Sequence, residues 1–518
     1  MKEAVAILGC LLVASTAYVS AAAEPARTII VNASIVDGTG APARRGAVRI
    51  VGQRIVAVGA LEPADGETVI DAGGLTLAPG FIDTHSHHDR GLFESRAALA
   101  AVSQGITTIV VGADGESTYP VAELFERQAK TPAAVNVATY VGHGDLRAAV
   151  MGADFRRHAT AEEIGRMRTL LSAGMQAGAL GLATGLEYDP GIYSETGELI
   201  ELAREAARYG GRYASHIRSE DRYFWAAVDE MVRIGREAGI PVQFSHMKLA
   251  MVDWWGQSRR LLDVLDRARS EGVDVTGDVY PYEYWQSTLT VLFPARDFGN
   301  RESAEFALRS ISPPDGLLIS EYTPEPALKG LTVAQIAGRK GMDPAATLMD
   351  LIARSQAEGA REGVIGTSMR VDDIAALVAW PHSNICSDGA LTGMHPRGAG
   401  AFTKVLRTYV REQKLLTLEQ AVHKMTGLAA AHVGIADRGL IRPGAFADLV
   451  LFNAAEVADR STIERPEALS VGIAKVWVNG VAVFAYGRPT GVYPGMPVRR
   501  DPAPLPRQHA TVHDATHR

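Results

Sequence analysis

Cysteine is nearly absent: the 518-residue chain has two, Cys10 and Cys386. Cys10 lies in the opening segment, so a mature chain that loses that segment keeps one thiol and forms no internal disulfide. Stability then rests on a large apolar core, which a chain of this length can bury. An excess of positive charge is lacking as well. The formal net charge is -7 and the isoelectric point is near 6.1. This argues against a nucleic-acid partner, because phosphate recognition needs a basic surface. The opening apolar run, Ala4–Ala14, is shorter than the roughly 20 residues needed to cross a bilayer. What is present is ordinary for a soluble globular protein: 47% apolar and 21% charged residues. The 52 glycines suit a fold with many strand–helix connections.

Residues 1–23 read as a signal peptide. Lys2 precedes the apolar run, and the small residues Ser20-Ala21-Ala22-Ala23 offer a cleavage site. Ile7-Leu8-Gly9-Cys10 looks like a lipoprotein acylation site, but the apolar stretch before Cys10 is too short for one. The mature protein is expected to be exported, periplasmic or secreted, with no membrane attachment. The polar segment 501–518 is expected to be a disordered tail.

Short apolar runs with Gly-containing turns at hairpin spacing fill residues 28–79, including Thr28–Asn32, Ala47–Val51 and Arg54–Val58. Residues 437–495 have the same character, with Ala447–Phe452 and Val476–Gly480. Both chain ends are therefore expected to build one small β-sandwich. Between them, strand candidates (Ile106–Val111, Val135–Val141, Arg212–Ser215, Val242–Ser245, Val273–Asp278) alternate with helical stretches such as Thr160–Ala177 and Tyr223–Ala238. Such alternation predicts an α/β fold with a parallel sheet, and the length of 80–436 favours a TIM-type (β/α)8 barrel over a doubly wound sheet. Periodicity alone does not separate the two. Residues 289–341 break the rhythm and read as an insertion near the mouth of the site. Thr417-Leu418-Glu419-Gln420 has capping-box spacing and predicts a helix over Thr417–Thr426.

The chemistry-bearing residues fall at strand ends. Pro79–Asp89 carries His85 and His87 with one residue between them, a spacing that turns both imidazoles to one face of an extended chain and suits zinc. Without the barrel context the same pair reads as two polar residues at a strand end. His216 and His246 each follow an apolar run. Singly, either reads as a hydrogen-bonded structural histidine, but with the first pair they form a convergent set. Asp388 closes the run Ser383–Ser387. A carboxylate there can take a proton from a metal-activated water and return it to a leaving amine. A turn aspartate before Gly389 fits the local sequence equally well. Cys386 reads as a packed strand residue rather than a nucleophile.

With these residues in place, the chain resembles the amidohydrolase superfamily, and within it the D-aminoacylase branch of N-acyl-D-amino-acid deacylases. The resemblance runs from about Thr28 to Arg500. It includes Pro79–Asp89, Gly105–Thr108, Val141–Gly144, Thr184–Leu186, Ser245–Lys248, Asp278–Tyr282, Ser387–Gly389, His395–Gly398 and Arg442–Asp448. It implies zinc held by His216, His246 and a ligand from the second strand, with His85 and His87 as a second half-site. It implies a metal-activated water as nucleophile, Asp388 as proton shuttle, and one or two ions. Lys248 and Arg397 would grip a substrate carboxylate, with Tyr282 and Tyr188 adding hydrogen bonds. A planar guanidinium fork and a flexible ammonium both suit that task, although each could equally be a salt-bridge residue.

One departure stands out. Where the branch places a cysteine, this chain has Gly112-Ala113-Asp114-Gly115. Asp114 is a harder ligand than a thiolate, which would admit Mn or Co more readily and could bridge two ions. Glu187 is a second candidate bridging carboxylate. The expected partner is a small-molecule amide bearing a carboxylate, hydrolysed at its C–N bond. A cyclic-amide or dipeptide hydrolase on the same centre is the alternative. A catalytically silent binding relative would have lost these histidines or Asp388.

Overall fold

The computed structural model describes residues 25–500, so the expected signal peptide and tail lie outside the described residues. The two chain ends meet in one ladder. Leu449–Phe452 pairs antiparallel with Thr76–Pro79, with Leu449 opposite Pro79 and Phe452 opposite Thr76. Around that seam runs a nine-stranded sheet that takes in Arg27–Ile35, Arg44–Val51 and Arg54–Gly59 from one end, and Ile473–Val478, Val481–Ala485 and Arg488–Pro489 from the other.

The strands expected to build a small β-sandwich from both chain ends are hydrogen-bonded in one connected path. Within that path Arg27–Ile35 changes partner halfway. Thr28–Val31 pairs with Thr68–Asp71, and Ser34–Ile35 pairs with Thr76–Leu77. Asn32, at φ 56°, sits at the break, a left-handed conformation that asparagine tolerates better than most side chains. Alternate residues Ile30, Val48, Ile50 and Ile55 pack with Leu77, Leu449, Leu451 and Trp477 in one apolar core.

The middle of the chain alternates parallel strands with helices. The strands hydrogen-bond in two ladders rather than one continuous ring. One holds Phe81–Asp83, Ile106–Val111 and Asn136–Thr139. The other runs Val141–Gly142, Gly181–Gly185, Arg212–His216, Val242–Phe244, Val275–Val279 and Ser383–Ile385. These strands are buried throughout, as expected where helices cover a parallel sheet. Beyond the ladder ends, Asp388 N–H donates to His85 O and His87 N–H donates to Gly389 O, both at 2.8 Å. These bonds tie the last strand's loop to the first strand's loop.

Two of the predicted helices start and stop within a residue of where the sequence places them. Ala161–Ala177 begins with a capping box between Thr160 and Glu163 and ends at Gly178 in the left-handed conformation. Thr417 caps Leu418–Met425 in the same manner with Gln420. Such caps contribute about 1 kcal/mol each.

The insertion is larger than 289–341. Tyr284–Ser287, Leu317–Tyr322 and Glu362–Thr367 form a separate three-stranded antiparallel sheet, with Glu362–Thr367 in the centre. The departure from parallel order therefore spans residues 284–367. None of the described helices is long and apolar enough to cross a membrane.

Candidate metal centre and substrate pocket

The site residues sit just beyond the strand ends. The first ladder strand stops at Asp83, so His85 and His87 come from the loop after it. Their convergence depends on the backbone bonds to the Asp388 loop as well as on strand alternation. Asp83 anchors that loop by accepting from the Ser387 backbone N–H at 2.8 Å and the Ser387 hydroxyl at 2.5 Å.

Five residues converge. His85 Nε2 lies 3.2 Å from Asp114 Oδ2 and 3.4 Å from Asp388 Oδ1. His87 Nε2 lies 3.3 and 3.4 Å from the same two atoms. His246 Nε2 is 3.3 Å from Asp114 Oδ1. His85, Asp114, His246 and Asp388 each offer one ligand atom within 4.8 Å of the others. Burial opposes charge on the His85 ring, but Asp114 and Asp388 outweigh it and lift its pKa to about 10. Burial likewise opposes charge on Asp388, and the Arg397 guanidinium overrides it to hold the carboxyl well below its usual range.

Three of these residues have strained backbones. Asp114, His246 and Asp388 take φ of 54°, 37° and 49°, a region that costs non-glycine residues about 1 kcal/mol or more each. Asp278 holds His246 in this conformation: its Oδ1 accepts the His246 backbone N–H at 2.5 Å, and its other oxygen accepts from the Gln243 side-chain amide. Behind Asp114, Gly185 leaves room that no side chain could share, since a Cβ there would fall 2.0 Å from Asp114 O.

His216 meets the cluster from the far side. Its Nδ1 is 3.1 Å from His246 Nε2, and its Nε2 is 3.1 Å from Glu187 Oε2. The Tyr188 hydroxyl is 3.4 Å from His216 Nδ1. Glu187 Oε1 also accepts the Glu220 backbone N–H at 2.5 Å.

Glu220, four residues after His216, was not singled out in the sequence. It forms a second potential ligand group with His216 and His246. Its Oε1 is 3.1 Å from His246 Nδ1 and accepts from Lys248 Nζ at 2.6 Å. Its signal was the four-residue spacing in His216-Ile217-Arg218-Ser219-Glu220, which is weak outside a helix.

Lys248 and Arg397 both line the cavity, and both already have acidic partners. Lys248 pairs with Glu220, and Arg397 donates to Asp388 Oδ2 at 2.5 Å. Arg397 Nε has no partner, although it is buried. Tyr282 is corrected: its ring lies against Lys404 at 4.0 Å and near His395, outside the cavity. Tyr280 lines the cavity instead. Arg397 lies over its ring at 4.9 Å, and its buried hydroxyl is without a partner. Cys386 is fully buried, and burial pushes its thiol well above the ordinary range. It is a packing residue.

The donor set fits a divalent cation. Asp114 Oδ1 is buried with no hydrogen-bond donor, and three imidazole nitrogens face two carboxylates across a few ångströms. Nitrogen and oxygen donors in this arrangement suit zinc and harder ions alike.

The sequence model of the amidohydrolase family matches residues 68–309 and 329–484. The N-acyl-D-aspartate deacylase of Alcaligenes xylosoxydans xylosoxydans is 40% identical over 493 residues, covering 90% of this chain and 94% of that protein. The N-acyl-D-glutamate deacylase of the same organism is 39% identical, covering 90% and 95%. Among solved structures, N-acyl-D-glutamate deacylase from Bordetella bronchiseptica, complexed with zinc and a phosphonate mimic of the tetrahedral intermediate, superposes with a TM-score of 0.83. It is 38% identical and covers 92% of this chain and 100% of that one. The chain belongs to the amidohydrolase family, enzymes with a TIM-barrel-type domain joined to a second domain. Its branch is that of the D-aminoacylases and N-acyl-D-amino-acid deacylases.

Proposed function

We propose that the chain deacylates N-acyl-D-amino acids with the centre built from His85, His87, Asp114, His216, His246 and Asp388. The observation that carries this is the convergence of three imidazoles on the Asp114 and Asp388 carboxylates at 3.2–3.4 Å. These residues would hold one or two zinc ions, with Mn or Co admitted by Asp114 and with Glu187 as a further carboxylate donor. When bound, such an ion supplies Lewis acidity and an activated water.

This chain's own groups do the rest. Asp388, within 3.4 Å of both His85 and His87, takes the proton of the attacking water and returns it to the departing amine. Arg397 keeps that carboxylate ionised through its NH1, and its guanidinium lines the cavity where a substrate carboxylate would bind. Lys248 and the Tyr280 hydroxyl stand on the same wall, and Tyr188 reaches the reacting end beside His216.

With Asn136–Thr139 and Val141–Gly142 counted as one interrupted strand, the two parallel ladders are read as one eight-stranded barrel, supported by the hydrogen bonds between the His85–His87 and Asp388–Gly389 loops. The mature protein is read as exported, on the Lys2 and Ala4–Ala14 pattern.

The test is amine release from paired N-acetyl-D- and N-acetyl-L-amino acids by purified protein of measured metal content, with and without chelator. Chelator-sensitive release from the D forms is expected. Metal present without release from either form would overturn the reading in favour of a cyclic amide or dipeptide.

A further inference from the structure

His395 opens the segment His395-Pro396-Arg397-Gly398, two residues before the Arg397 guanidinium that holds Asp388. It is buried on the cavity wall, 7% exposed. Tyr280, Tyr282 and Tyr284 surround it, with ring centroids 6.2, 5.5 and 4.9 Å away. Packing alone would account for an imidazole in that setting, were it not for its two nitrogens.

Both nitrogens meet backbone groups. Nε2 lies 2.9 Å from Tyr284 O, and Nδ1 accepts the Arg397 backbone N–H at 3.1 Å. A carbonyl only accepts and a backbone N–H only donates, so the ring carries its proton on Nε2 and leaves Nδ1 free. Burial, and then the Arg397 guanidinium, hold the imidazole well below its ordinary pKa, which keeps it neutral in that tautomer.

The two partners belong to different parts of the fold. Tyr284 begins an edge strand of the inserted sheet, and the residues after it, Trp285, Gln286 and Ser287, line the cavity. Arg397 begins the helix Arg397–Val405, where the first backbone N–H groups find no partner within a helix. That helix end is pressed onto the Asp388 loop: a Cβ on Gly389 would fall 2.3 Å from Gly398 Cα. From the barrel side, Gly398 O accepts from Gln104 Nε2 at 2.9 Å and lies 3.1 Å from His88 Nε2. His395 is thus a direct link between the edge of the insertion and the backbone that carries Arg397.

We propose that His395 is a positioning residue: it seats Arg397 against the inserted sheet, so that the Asp388 shuttle and the cavity wall at Trp285–Ser287 keep one register. This rests on the deacylase reading, in which Arg397 both holds Asp388 and lines the place of the substrate carboxylate. A displacement of about 1 Å in such a group can cost about a hundredfold in rate. The insertion has a separate attachment through Arg296, which donates to Glu187 O at 2.5 Å and to Asp189 Oδ1 at 3.1 Å. Loss of His395 therefore leaves the insertion attached but frees the seat of Arg397.

The test compares zinc-loaded wild type with His395→Ala, His395→Asn and His395→Gln on the N-acetyl-D-amino acid that wild type hydrolyses fastest, with zinc content and urea midpoint measured for each. His395→Asn can offer an oxygen near Nδ1 to the Arg397 N–H but does not reach Tyr284. His395→Gln can offer an amide N–H near Nε2 to Tyr284 O but leaves the Arg397 N–H without its acceptor. His395→Ala is expected to keep its zinc and lose at least about tenfold in kcat/KM. His395→Asn is expected to regain kcat while KM stays raised, and His395→Gln to regain KM while kcat stays low. Kinetics of folded His395→Ala equal to wild type overturn the inference and leave deacylation standing. The same changes in kcat and KM in His395→Asn and His395→Gln overturn it as well, since a residue that only packs does not separate the two constants. Should His395→Ala not fold, the other two variants decide. Release by wild type from no N-acetyl-D-amino acid strikes the deacylase reading and takes this inference with it.

Discussion

Glu220 Oε1 stands 3.1 Å from His246 Nδ1, on the opposite side of the ring from the nitrogen that faces Asp114. A carboxylate in that position orients a metal-ligating imidazole and favours the tautomer with a free Nε2. Glu220→Ala is therefore expected to weaken metal retention by about ten- to a hundredfold. Metal content after dialysis against graded chelator measures this. Retention equal to wild type would show that Glu220 serves Lys248 alone.

Asp114 gives the centre a carboxylate within 3.3 Å of His85, His87 and His246. Asp114→Ala should lose bound metal, and Asp114→Cys should keep it while shifting preference from Mn or Co toward Zn, because a thiolate is softer than a carboxylate. Competition between these ions, read by elemental analysis, gives the answer. Metal content unchanged in Asp114→Ala would remove Asp114 from the ligand set.

Loss of the Asp388 proton shuttle should reduce kcat by about a hundred- to ten-thousandfold. The variant to use is Asp388→Asn, which preserves shape and an acceptor for Arg397. Its metal content should stay near wild type through His85, His87, Asp114 and His246. A kcat within a few-fold of wild type would assign proton transfer to another group.

The two tyrosines of the Asp278–Tyr282 segment should behave differently. Tyr280→Phe removes a cavity-lining hydroxyl without a protein partner and should raise KM several-fold, about 1 kcal/mol of lost hydrogen bonding. Tyr282→Phe should leave KM unchanged, since its ring packs outside the cavity. Steady-state kinetics on the two variants distinguishes them.

Burial raises the Glu362 pKa to about 7, against the two backbone N–H donors that lower it. The folded state then binds a proton that the unfolded chain releases near pH 4.5. The stabilising contribution of that proton is full below about pH 4.5 and is lost as pH rises through about 7. Glu362→Gln should thus gain stability relative to wild type between pH 5 and 7.5. Urea midpoints of both proteins at the two pH values test the sign.

Much of this site was legible because its residues end apolar runs. His216 is the last residue of its strand and His246 lies two residues beyond the next, so strand patterning found both. Asp114 was visible as a substitution within a motif. Glu220 was missed because it sits on a loop, where spacing does not report direction. Tyr282 came from the resemblance alone, and because the strand stops at Val279 no alternation in the sequence tells which of Tyr280 and Tyr282 faces the cavity. The inserted sheet extends beyond 289–341 because its strands Tyr284–Ser287 and Glu362–Thr367 lie on either side of that stretch. The partner change along Arg27–Ile35, with Asn32 at the break, is announced by no local pattern.

The pairing of Leu449–Phe452 with Thr76–Pro79 also sets an order of assembly. Gly80 N–H donates to Asp448 O at 2.8 Å, one residue before the strand that leads to His85 and His87. The first metal-site histidines are made early on the ribosome, yet the strand that braces them is among the last to emerge. A nascent chain therefore cannot finish its own catalytic centre until synthesis is nearly complete, and a product shortened before Leu449 loses its hold on a site hundreds of residues upstream.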